Sequence, residues 1–262
     1  MSTLFENKSS ITDDLKVLAK FIQMDPASPE AKLITDYSNN QNGVRSRDFK
    51  SNHQIQIRLQ NEVKAHYSGT YFYEIKRGEV AGTGERISNE EAGQYLMAFD
   101  LGEPWATHRK YEIFEDRHGS LFGRPEVTAD RIVMLQVIAE AIESKLQQLT
   151  RQLVAKHAIT KFMMMYPVKQ YFADDEKFTK ILESPSKYMR GSALRAKFKK
   201  CIEEFLDEMI VDINMESEGW DDDFDYRDKL RDQQWTKALV GELVKDYKKQ
   251  IGKKRSKKFA EA

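Results

Sequence analysis

Residues 127–162 read VTADRIVMLQVIAEAIESKLQQLTRQLVAKHAITKF, and their apolar positions recur at steps of three and four. No glycine or proline interrupts before Pro167. The spacing therefore predicts one long helix, or two in near continuity, over roughly ten turns. Thr128 stands where an N-cap oxygen is needed. Further periodic runs predict helices at about 174–183, 191–214 and 227–251. Between the last two lies ESEGWDDDFDY, an acidic stretch with Trp220 and Phe224 embedded. It is expected as a solvated loop, with docking onto the basic tail KKRSKKFAEA left open. Met163, Met164 and Met165, beside Phe162 and Tyr166, read as core, with an adaptable partner-binding surface as the alternative. Residues 125–262 are thus expected to form a helical domain with a basic tail.

Upstream the pattern changes. Leu15, Val17, Ala19 and Phe21 alternate with Lys16, Leu18 and Lys20, which predicts a strand over about 15–24. Pro26 and Pro29 end it, and Ser28 caps a helix running to about Tyr37. Residues 37–63 read YSNNQNGVRSRDFKSNHQIQIRLQNEV. The Asn-rich turn cannot extend a helix comfortably, because Asn side chains compete for backbone hydrogen bonds and Gly43 adds entropy. Ser51 or Asn52 then offers an N-cap, and Ile55, Ile57, Leu59, Val63 and Tyr67 supply apolar helix positions. A second strand, about 70–77, alternates Tyr71, Tyr73 and Ile75 against Phe72, Glu74 and Lys76. The following GEVAGTGERI reads as a hairpin or surface loop, since it lacks the third glycine of a dinucleotide site. Ser88 and Glu91 form a capping box for a helix to about Asp100. Gly102 and Pro104 break it, and another helix is expected from Trp105 to about Arg117. The fold class is therefore α+β, predominantly α: a small, incomplete α/β portion over 1–124, then helices over 125–262.

The order of these short motifs resembles the abortive-infection phage-resistance (AIPR) family of bacterial proteins. The elements that carry the resemblance are Asn40-Gln41-Asn42, Asp48-Phe49-Lys50-Ser51-Asn52, the Gln-rich helix from Gln54 to Gln60, and Tyr73-Glu74-Ile75-Lys76-Arg77-Gly78. The Ala-containing helix ending near Phe99 and Gly102-Glu103-Pro104-Trp105 fit as well, so roughly residues 15–140 are covered. The resemblance implies a bacterial anti-phage role. It also implies longer relatives, with an upstream Asn-Gly-x-Gln-Thr stretch and, in some, a nuclease-like domain. No Asn-Gly-x-Gln-Thr occurs in this sequence. The expectation is a C-terminal portion whose partner is nucleic acid or an upstream or companion domain of the same defence protein.

Composition narrows the chemistry. Apolar residues make up 40%, charged residues 32%, and the formal net charge is zero. That argues against a globally basic nucleic-acid binder while leaving local patches open. Residues 1–127 carry 16 basic and 19 acidic groups, the rest 26 and 23. Cys201 is the only cysteine, so there is no disulfide framework, and its helical neighbours Phe198, Ile202 and Phe205 predict a buried thiol. Glu6 and Lys8 interrupt any signal peptide, and no run approaches the ~18 apolar residues that span a bilayer, so a cytoplasmic location is expected.

Two site readings compete with bland ones. Glu74 and Lys76, with Asp48 upstream, match the acid-x-lysine pair of a metal-dependent nuclease, where residues two apart on a strand share a face. Mg²⁺ would enter only with that reading; otherwise no cofactor is expected, and Glu74 and Lys76 would be a structural pair at a solvated strand end. The other reading is a phosphate-contacting patch of Arg45, Arg47, Lys50, Arg58, Lys76 and Arg77, since arginine's planar fork suits phosphate. Its alternative is that these arginines clamp the protein's own carboxylates, Asp48 and Glu62 among them. His53, His66, His108, His118 and His157 fall in separate segments with no pair at i, i+4, so no local metal motif is read. A binding, sensing or assembly module is favoured over an enzyme.

Overall fold

The computed structural model describes residues 47, 50–79, 83–173, 175–221 and 224–252, with side chains left out of account at 250–252. The chain divides into two units, Met1–Val44 and Arg45–Ala262, so position 124/125 falls inside the second. The strand expected at 15–24, its following helix and the Asn40-Gln41-Asn42 turn lie outside the described residues.

The second unit is predominantly helical, with two short strands. Helix α1, Gln54–Tyr67, starts at His53, whose ring Nδ1 accepts from the Ile55 amide at 3.3 Å. His53 thus takes the capping role expected of Ser51 or Asn52. The helix buries Gln56, Leu59, Val63 and Tyr67, and Ile57 is exposed. Strand β1, Tyr71–Glu74, pairs in parallel with β2, Glu85–Ser88, in the register Tyr71 to Glu85 through Glu74 to Ser88. The segment between them is therefore a connection between parallel strands and not a hairpin.

Ser88 closes the expected capping box with Glu91 and starts α2, Asn89–Tyr95, with Glu90 and Glu91 in the electropositive first turn. A π-helical turn carries the chain from Leu96 to Asp100. Gly93 on α2 is held against Ile113 and Phe122, and a Cβ there would drive into the Ile113 Cγ2. Gly93→Ala gains up to about 1 kcal/mol of helix propensity but overpacks a filled core, which typically costs about 1–3 kcal/mol. Its melting temperature should fall below that of the unaltered protein; a rise would show that Ile113 yields freely.

The helix expected over 105–117 is absent. A 3-10 turn at Pro104–Ala106 and a chain of turns lead instead to α3, His118–Phe122. Helix α4, Ala129–Lys145, begins at Thr128, whose hydroxyl accepts from the Arg131 amide, and Glu62 accepts from the Ala129 amide at 3.0 Å. It is buried almost all round from Ala129 to Ile142.

The run expected as one long helix or two in near continuity is divided into more pieces. Helix α4 gives way to a 3-10 turn, then α5, Gln152–Lys156, and α6, Ala158–Tyr171. The Thr160 hydroxyl donates to the Val154 carbonyl, and His157 caps α6 by accepting from the Ile159 amide. Pro167 sits inside α6 and does not end it. Helices α7 (Glu176–Glu183), α8 (Ser186–Met189) and α9 (Ser192–Glu218) follow. The last expected helix divides at Asp232 into α10, Tyr226–Arg231, and α11, Gln233–Gly252. Helix α4 packs against α1 and α2 on the strand side and against α6, α8 and α9 elsewhere. Trp220 and Phe224 are not left in solvent: their rings stack 4.7 Å apart and adjoin Tyr226 and Trp235. Cys201 is buried as expected, and burial pushes its thiol up.

Candidate functional site

Three consecutive residues of β1 and its exit, Tyr73, Glu74 and Ile75, are all buried, so the strand is covered on both faces. On one face the Tyr73 hydroxyl donates to Gln56 Oε1 at 2.8 Å. On the other, Glu74 Oε2 accepts from Arg47 Nη2 and from Arg86 Nη1, each at 2.9 Å. Its Oε1 accepts from the Gly78 amide at 3.2 Å. Arg47 Nε donates to Asn89 Oδ1 at 2.5 Å, and Asn89 Nδ2 donates back to the Ile75 carbonyl at 3.3 Å. Gly78, at φ +70°, supplies the left-handed backbone that curls its amide toward the carboxylate. Burial pushes the Glu74 carboxyl up, but Arg47, Arg86 and the Gly78 amide outweigh it and hold it below the usual range.

The strand ends at Glu74, and Lys76 lies exposed in the bend beyond it. The two residues therefore do not share a strand face, and the exposed strand end expected for Glu74 is replaced by a buried node. Arg45 and Asp48 lie outside the described residues. Arg58 Nη2 donates to the Val127 carbonyl at 2.8 Å and its Nε lies 3.7 Å from Glu62. Arg77 stands 3.8 Å from Glu90, which also receives Lys110 at 2.8 Å. Three of the six basic residues are thus engaged with the protein's own acceptors. Lys50 is half-buried near His118, and Lys76 faces solvent.

The structure also joins two histidines that the sequence keeps apart. The rings of His53 and His118 meet edge to face with centroids 4.6 Å apart, and His118 is wedged beside Phe122 at 5.3 Å. Gln56 links this pair to the strand. With its Oε1 occupied by Tyr73, its amide nitrogen faces His118 Nε2 at 3.3 Å. With the Gln56 amide in this orientation, His118 Nε2 is the unprotonated acceptor of a neutral ring. Burial first, then the charges of His53 and Lys50, push the His118 ring down to about 4. No local spacing signals this contact.

A cleft of about 360 Å³ lies between α1 and β1, lined by Gln60, Asn61, Lys64, Tyr71, Tyr73 and Glu79 among others. Gln60 Nε2 donates there to the Tyr73 carbonyl and to Glu79. Among the described residues no group of three or more His, Cys, Asp or Glu side chains is arranged to hold a metal ion. No described helix is long and apolar enough to cross a membrane.

A family model described as AIPR protein matches residues 1–249. No curated protein and no solved structure matches the chain.

Proposed function

The chain belongs to the AIPR family, bacterial abortive-infection proteins of anti-phage defence, and from that premise we propose that it acts as a cytoplasmic binding and assembly module of that defence. In this reading it contacts nucleic acid or a companion domain, and the residues of the shared motif serve as framework. The observation that carries it is the state of Glu74. A metal-dependent nuclease needs carboxylate oxygens open toward the ion. Here one oxygen of Glu74 accepts from two guanidinium groups and the other from a backbone amide. Tyr73, Glu74 and Gly78 each have a framework task, which accounts for these three motif positions without catalysis. Lys76 and Arg77 are left at the surface beside it.

The test is cleavage and binding measured together. With Mg²⁺ or Mn²⁺ present, the unaltered protein should leave plasmid and single-stranded DNA intact while binding nucleic acid in a salt-dependent way. Metal-dependent cleavage abolished in both Glu74→Gln and Lys76→Gln would reverse the conclusion in favour of a nuclease. Salt-insensitive behaviour, with no nucleic-acid binding at all, would leave the companion domain as the partner.

A further inference from the structure

In a chain of zero net charge, residues 176–200 hold eight lysines and arginines against two glutamates. This stretch is α7, α8 and the first turns of α9. The three helices are fixed to the body by some of their own cations. Arg190 grips Asp130 with two bonds of 2.9 and 2.8 Å, and Lys199 reaches Glu140 at 3.0 Å. Arg195 ties α9 to α8 through the Met189 carbonyl at 2.7 Å, and Arg131 of α4 donates to the Leu182 carbonyl at the end of α7. The inward cations thereby neutralise carboxylates of α4 that would otherwise counter the surface charge.

Of the five cations that remain, Lys177 is half-buried and four lysines are exposed. Lys180 and Lys200 have partners only on their own helices, Glu176 at 3.9 Å and Glu204 at 3.7 Å, and both pairs are exposed. Such pairs are weak and yield to a stronger anion. Lys187 and Lys197 are exposed and make no ion pair among the described residues. Ser184, Ser186 and Ser192 place short hydroxyls between them, and α9 begins at Gly191 without a side-chain cap.

We propose that α7, α8 and the start of α9 form a surface for the phosphate backbone of a nucleic acid, with Lys180, Lys187, Lys197 and Lys200 as its contacts. Repeated single cations with hydroxyls between them suit a row of phosphates. An anionic membrane is the poorer fit, because it also calls for an apolar face, and Leu194 is the one large apolar side chain exposed in this stretch among the described residues. The proposal deepens the binding reading above by naming the partner and a set of contacts that does not include Lys76 and Arg77.

The experiment is fluorescence anisotropy of a labelled DNA duplex across a salt series, using the full chain. Lys180→Gln, Lys187→Gln, Lys197→Gln and Lys200→Gln are combined in one variant; Lys76→Gln and Arg77→Gln form another. The first should lower the slope of log affinity against log salt by about three to four and keep the melting temperature. The second should change the slope by less than one. Should the fourfold variant not fold, Lys187→Gln with Lys197→Gln should still remove about two. An unchanged slope in the α7–α9 variant overturns the proposal. If the other variant then loses the slope, the binding reading survives on the motif side. If the unaltered protein binds vesicles of anionic phospholipid and no duplex, the nucleic-acid surface is overturned.

Discussion

Glu74→Ala should remove about 3–5 kcal/mol of folding free energy, because it strands the Arg47 guanidinium in a buried site without its anion. The side chains of Arg47 and Glu74 are only 8% and 5% exposed, so water cannot take over the missing contact. Folded domains hold about 5–15 kcal/mol in total, and the loss should be plain in a urea titration. Arg86→Ala is the contrast. That guanidinium meets the same oxygen from a side chain 55% exposed, and its removal should cost at most about 1 kcal/mol. Equal effects of the two substitutions would show that Glu74 is no buried node. The Glu74 carboxyl is held below its ordinary value, so its contribution is present at neutral pH and is lost only as acid protonates it.

Acid should also act through His118, by about 3 kcal/mol at full protonation. Its ring is 3% exposed and pushed from 6.5 down to about 4. Between those values the unfolded chain binds the proton and the folded one does not, so stability rises with pH across that window. The contribution is whole above about pH 6.5 and is lost as pH falls through 4. Protonation sets an N–H on His118 against the amide nitrogen of Gln56, and places a charge in a buried ring. Melting temperatures at a series of pH values should show this loss in the unaltered protein and a shallower acid slope in His118→Gln. Parallel slopes would remove His118 from the acid response.

What could be read in advance was local. The capping box of Ser88 and Glu91 and the cap at Thr128 are set by residues three apart, and both formed. The break after α4 was hidden because nothing in the residues from Leu149 to His157 forbids a helix; Asn214, from a distant helix, accepts from the Thr150 amide at 2.9 Å. Pro167 read as an interruption, yet buried Met163, Met164 and Val168 around it hold α6 together. Alternation along β1 placed Glu74 outside. Its buried pairing with Arg47, 27 positions earlier, is a long-range contact that spacing cannot reveal. The basic charge of residues 176–200 was visible in the sequence, but counting by halves averaged it away.

Helix α4 has consequences for where the protein can be divided. Its surface is roofed by α1 and α2 from one part of the chain and by α8 and α9 from another. A backbone cut near 124/125 would leave one piece with one apolar flank of α4 bared and the other with the faces of α1 and α2 that covered it. Such pieces are adhesive apart and complementary together, the relation used in split reporters. Two proteins fused to these halves would signal their meeting by restoring one fold.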